Sequence, residues 1–251
     1  AEGIDGLVLD VKHGTGAFMK KLDDARALAR AMVAIGEAAG KKVSALLTDM
    51  NQPLGRKIGN ALEVEETVEV LKGGGPADVV ELTVELGAEM LLLGGAVTAR
   101  EEGRQKIRAS LSDGSALERF RACVQRQGGD PRSLDGGLPK AKETHVVLAE
   151  ARGFLAAIDT EAVGVAAMIL GAGRARKEDD VDPAVGIVLE KTLGDPVEKG
   201  EPLAVFHVND PSTFAPAKAR FLAAYSFAEA APARAPLVTE RIVSRGVDEN
   251  A

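Results

Sequence analysis

Residues 4–48 confine the chain to a narrow set of folds. Ile4 to Val11 is a short apolar run rich in β-favouring residues, the pattern of a buried strand. A glycine-rich turn, Lys12 to Phe18, follows it. Leu22, Ala25, Ala29, Met32, Val33 and Gly36 then recur at helical spacing, which predicts a helix over about Lys20 to Ala39, stopped at Gly40. Val43 to Thr48 is a second strand. A strand–helix–strand unit of this length calls for parallel strands joined by a right-handed crossover. Ligands on such sheets collect beyond the C-terminal strand ends. That places Lys12 to Phe18 and Asp49 to Arg56 along one edge.

The next stretch is helical. Ile58, Ala61, Leu62, Val68 and Leu71 mark a helix over about Lys57 to Lys72, and Pro76 opens another that runs to about Leu93. Thr98 with Glu101, and Ser115 with Glu118, have the spacing of capping boxes for two shorter helices. The Gly- and Pro-rich segment from Gly128 to Lys140 reads as a linker. Beyond it, strands are expected at His145–Glu150, Gly153–Ile158, Val185–Lys191, Leu203–Val208 and Val238–Val243. Helices are expected over about Thr160–Leu170, with Thr160 as cap, and over Ala215–Tyr225. The whole reads as α/β: residues 1–136 form part of a mixed-sheet α/β domain with covering helices. Residues 137–251 form an α+β domain whose turn Gly194–Gly200 resembles the hairpin of a barrel-sandwich.

Charge and cysteine content exclude several functions. The net charge is −7, so the broad positive field that holds nucleic acid is missing. No apolar run approaches the ~18 residues of a membrane span. Cys123 is the only cysteine, which excludes an intrachain disulfide and points to a reducing cytoplasm. His13, His145 and His207 are far apart in sequence.

Several residues are chemically suggestive. The loop His13-Gly14-Thr15-Gly16 precedes a helix, where backbone amides can meet an anion, or it is a tight turn without a ligand. Asp10 and Lys12 alternate along a strand and face the same way. They either orient polar substrate atoms or form a structural ion pair. Phe18 either walls a flat heterocycle or is a buried staple. The polar loop Thr48 to Lys57, with Glu66 on the next helix, either holds a hard cation through carbonyls or is a plain helix entrance.

Three stretches together resemble the pyrimidine-nucleoside phosphorylase family, which includes thymidine phosphorylase. They are LDVKHGTGAFM (Leu9 to Met19), LLTDMNQPLGRKIGNALEV (Leu46 to Val64) and GAGRARKEDDVDPAVGIVLEKTLGDPVEKGEPLA (Gly171 to Ala204). The resemblance implies phosphorolysis of uridine, thymidine or deoxyuridine to a free base and a pentose 1-phosphate. It assigns Phe18 to the pyrimidine pocket, and Asp10 and Lys12 to a strand-end pair. It assigns Leu54 and Lys57, through their carbonyls, and Glu66 to a potassium or calcium ion. No organic cofactor is implied, and the full-length protein is expected to be a homodimer. The family's phosphate-binding Lys-His-Ser stretch, and the Arg and Ser-x-x-x-Lys set that hold the base, have no counterpart here. The chain, which starts at Ala1, is therefore expected to be the C-terminal part of a phosphorylase, inactive alone. His13 and Thr15 depart from the family pattern. The alternative expectation is a non-catalytic remnant that binds a ligand or partner.

Overall fold

A computed structural model describes residues 3–244. Strand β1 (Gly6–His13), helix α1 (Leu22–Ala38) and strand β2 (Lys42–Asp49) form the expected unit. The strands are parallel, in register from Gly6 opposite Lys42 to His13 opposite Asp49. Ala25, Ala29 and Val33, four residues apart, put one apolar stripe of α1 onto Val11, Val43, Ala45 and Leu47. The helix lies very close to the sheet: a Cβ on Gly36 would sit 2.2 Å from Val43 Cγ2. Gly40, at φ +70°, ends α1, and Lys41 N–H donates to Gly36 O at 2.9 Å.

The chain then forms β3 (Lys57–Ile58), α2 (Asn60–Leu71), α3 (Ala77–Leu93), α4 (Arg100–Ser112) and α5 (Ser115–Arg126). Helix α2 starts later than its periodicity suggests, because Lys57 and Ile58 pair with a strand of the second region. The two capping boxes do not form. The N-cap positions are Ala99 and Gly114, neither with a side-chain cap. Glu102, not Glu101, accepts from Thr98 N–H at 3.4 Å, and Asp113 accepts from Ser115 N–H at 2.8 Å.

The second region holds β4 (Glu143–Leu148), β5 (Gly153–Ile158), α6 (Thr160–Leu170), β6 (Gly186–Leu189), β7 (Pro196–Val197), β8 (Pro202–Val208), α7 (Pro211–Leu222) and β9 (Tyr225–Ala228). Two sheets, ordered β3-β6-β8-β4 and β7-β5-β9, share one core with α6 and α7. Phe206 and Phe221 meet edge to face there at 5.2 Å. The Gly194–Gly200 turn between β6 and β8 carries β7, which pairs with β5, so the turn spans the two sheets. Asp159, not Thr160, caps α6 by accepting from Ala162 N–H at 3.1 Å. Helix α7 starts four residues early, because Asp210 caps it and Pro211 suits its first turn. Tyr225, expected in that helix, starts β9 instead.

The final strand, β10 (Val238–Val243), leaves the second region and pairs antiparallel with β2, giving the order β1-β2-β10. A bulge between Val238 and Glu240 frees Thr239, whose hydroxyl donates to Leu47 O at 3.0 Å. On the face opposite α1, Glu89 of α3 is fully buried. Arg100 Nε donates to its Oε1 at 2.5 Å and Ser44 Oγ to its Oε2 at 2.8 Å. Arg241 Nε of β10 lies 3.2 Å from the same carboxylate. Arg241 also reaches Glu85, which Arg104 holds at 2.8 Å. Burial pushes the Glu85 carboxyl up, but the guanidiniums of Arg104, Arg241 and Arg108 outweigh it and hold it below the usual carboxylate range.

Removing one member of a buried pair leaves its partner charged and dry, at a cost of about 3–5 kcal/mol. Glu89→Ala is expected to lose about that much in urea unfolding, with the slope unchanged. Glu89→Gln, which keeps an acceptor, should lose less. A loss under about 1 kcal/mol for Glu89→Ala would show that the cluster is dispensable.

Candidate functional site

The loops after β1 and β2 meet at the expected sheet edge. In the glycine loop every amide from Gly14 to Ala17 has a partner within the chain. Gly14 N–H donates to Met19 O at 3.3 Å, Gly16 N–H to Met50 O at 2.9 Å and Ala17 N–H to Gly14 O at 3.1 Å. Thr15 N–H donates to Asn51 Oδ1 at 3.1 Å. This is the tight-turn alternative: the amides an anion would need are engaged in holding one loop against the other. Gly14 has φ +116°, and a Cβ there would lie 2.8 Å from Asn51 N.

Phe18 follows this turn and is 97% exposed, so the buried-staple alternative is excluded. Its neighbour Ala17 is buried. The turn is thus anchored at Ala17 and presents an aromatic ring outward one residue later.

Asp10 and Lys12 form the ion pair that their alternation allows, at 2.6 Å. Thr48 Oγ1, across the ladder on β2, donates to the other Asp10 oxygen at 2.5 Å. His13 is buried. Its Nε2 lies 3.2 Å from Thr239 Oγ1, and its Nδ1 lies 4.0 Å from an Asp49 carboxylate oxygen. The strand end is therefore a polar cluster drawn from β1, β2 and β10.

Glu66 anchors the second loop. Its Oε1 accepts from Arg56 N–H at 2.9 Å and from Lys57 N–H at 3.2 Å. Gly55 takes φ +73°, and a Cβ there would fall 2.1 Å from Glu66 Oε2, so the carboxylate fills the space that a side chain would need. Asp78 accepts from Gly55 N–H at 3.1 Å. Burial raises the Glu66 pKa; the two amides work against this, and the nearby Asp78 charge adds to it. Leu54, Lys57 and Glu66 line one cleft of about 390 Å³ with Met50, Val79 and Thr160. Among the described residues, no group of three or more His, Cys, Asp or Glu is placed to hold a metal.

Two participants escape a reading of the sequence. Thr160 and Thr239 reach these loops only through tertiary contacts. Thr160 enters from the second region: its backbone N–H donates to Thr15 Oγ1 at 3.2 Å. Nothing in the local sequence around it signals this. Thr239 depends on the bulge in β10. A weak signal exists for Glu66 alone, as an acidic residue inside an apolar helix face.

Residues 1–117 match a family model described as the glycosyl transferase family a/b domain. Residues 154–228 match the pyrimidine nucleoside phosphorylase C-terminal domain. The chain is 48% identical over 211 residues to proteins named pyrimidine-nucleoside phosphorylase from Staphylococcus aureus strains USA300 and NCTC 8325. The strain RF122 protein of that name matches equally, again with 83% of this chain and 49% of the relative covered. The chain thus spans about half the length of the curated relatives it matches. Both family models and the level of identity lead to one assignment: the chain belongs to the pyrimidine-nucleoside phosphorylase family.

Proposed function

We propose that this chain forms one wall of a pyrimidine-nucleoside phosphorylase site. The reaction is phosphorolysis of uridine, thymidine or deoxyuridine. Phosphate oxygen bonds to C1′ of the pentose as the bond from C1′ to the base nitrogen breaks, and the bond electrons leave with the base. The products are the free base and the pentose 1-phosphate. The observation that carries the reading is Phe18, an aromatic ring held wholly outward at the C-terminal edge of a parallel strand pair. Its flat face suits a pyrimidine. The Asp10–Lys12 pair orients the strand end beneath it.

The chain has no Lys-His-Ser stretch and no Ser-x-x-x-Lys set. We therefore propose that it is inactive alone and works with residues of those types in the whole protein. That protein is proposed to be a cytoplasmic homodimer. Among the described residues no helix is long and apolar enough to cross a membrane. We also propose two structural units, residues 1–136 and 137–251, with β10 returned to the sheet of the first.

The cation reading is supported by donor type. Carbonyls and a carboxylate are the ligands that potassium and calcium prefer. A buried Glu66 whose charge is disfavoured fits a nearby cation, and the carbonyls of Leu54 and Lys57 would complete its share from this chain. When bound, the ion supplies fixed positive charge. Glu66 itself holds the Arg56 and Lys57 amides, and so the shape of the loop.

Two measurements test these readings. The first joins the chain in frame behind the part of the Staphylococcus aureus relative that it does not cover. The fusion should release free base from at least one of the three nucleosides, and the chain alone should not. Phe18→Ala in the fusion should raise KM about tenfold, in line with ~1–3 kcal/mol for base–aromatic stacking. A stably folded fusion that releases no base would falsify the phosphorylase reading. The second follows Glu66. Its raised pKa means the folded state holds the proton more tightly than the unfolded state. In the absence of cation, stability therefore falls as pH rises from the ordinary carboxylate value through the raised one. Glu66→Gln should lose that slope. Potassium or calcium should raise the Tm of the parent at pH 7 and leave Glu66→Gln unmoved. Equal shifts in both would sink the cation assignment.

A further inference from the structure

The glycine loop meets the second region through Thr15. We infer that Thr15 and Thr160 are positioning residues: they form a clamp by which the second region fixes this loop and so sets the direction of Phe18. The role toward a pyrimidine rests on the reading of Phe18 proposed above; the clamp itself does not.

The contact is reciprocal. Thr15 Oγ1 donates to Ile158 O at 2.8 Å and accepts from Thr160 N–H at 3.2 Å. Ile158 ends β5 and Thr160 opens α6, so these are a carbonyl at a strand end and an N–H of a first helical turn. Such groups lack partners within their own elements. A single hydroxyl from the other region satisfies both. Thr160 Oγ1 lies 3.2 Å from the same hydroxyl, and Thr160 is buried. Contact is tight enough that a Cβ on Gly16 would fall 2.5 Å from Thr160 Cγ2.

Lys20 adds a second tie. Its Nζ donates to Thr15 O at 2.8 Å and to Glu161 Oε2 at 2.6 Å. The loop is thus gripped on both sides of Phe18, at Thr15–Gly16 and at Lys20, by the start of α6. Thr160 also borders the Leu54–Glu66 cleft.

The chain contains no tryptophan, so Phe18→Trp places a single fluorescent indole on the loop as a reporter. Hydrogen exchange of the Gly14–Ala17 amides gives an independent view. In Thr15→Val, exchange at these amides should rise about tenfold, roughly the equivalent of one hydrogen bond, and the anisotropy of the indole should fall. Thr15→Ser should restore both. Lys20→Met alters an exposed tie that folding does not need, and should raise exchange about threefold. It decides the matter if Thr15→Val does not fold. Loop exchange and anisotropy unchanged in both variants, at equal urea midpoints, would overturn the clamp. Quenching of the indole by uracil is read separately, in the fusion with the part of the relative that this chain does not cover. No quenching in the Phe18→Trp parent overturns the base reading of Phe18 and leaves the clamp judged by exchange. Quenching with the same affinity in that parent and in a loosened Thr15→Val overturns the positioning role.

Discussion

The Glu89 carboxylate is the contact on which the first region depends. It has no exposed surface, and its surroundings come from four elements: Arg100 from α4, Ser44 from β2, Arg241 from β10, and its own helix α3. A charge in that position is tolerable only when it is met on several sides. The demand draws β10, from the far end of the chain, onto β2 and sets two helices across the sheet. The loops at the sheet edge inherit their positions from that arrangement. Thr239 reaches Leu47 and His13 on the same strand that carries Arg241 to Glu89, two residues on.

The site follows the same rule of internal satisfaction. Both loops engage backbone amides within the chain. In the first, neighbouring carbonyls and Asn51 occupy the amides; in the second, Glu66 does. What remains outward is side-chain chemistry: an aromatic ring, an ion pair and a cleft. This suits a wall that positions a ligand and leaves cationic binding groups to other parts of the protein.

Much of this was legible in the residues. The β1–α1–β2 unit announces itself through alternation, a 3.6-residue stripe and Gly40. Strands β5 and β10 fall where their β-branched and apolar runs predict. Part of what failed was decided at a distance. Lys57 and Ile58 read as helical until β6 is there to pair with them. Other failures were local: Thr98 and Ser115 met Glu102 and Asp113 in place of the expected glutamates, and Thr160 lost its capping role to Asp159. Strand β9 is four residues long and draws its definition from β5. Within the site, Phe18 and Glu66 stand in recognisable stretches, while Thr160 acquires its role only once α6 is packed against the glycine loop.

The return of β10 also governs how the molecule can assemble itself. The hydroxyl of Thr239 bonds to Leu47 across 192 residues of sequence. Ser244 closes on Val43 across 201. Contacts of such long range come late, because the entropy of closing the loop is lost before any bond offsets it. Until then β2, the most buried strand of the sheet, has an open edge of unpaired backbone groups. A chain synthesised from the N-terminus must therefore complete the whole second region while that edge waits. The two regions are separate in their cores, and yet the order in which they can finish folding is fixed: the sheet of the first closes last.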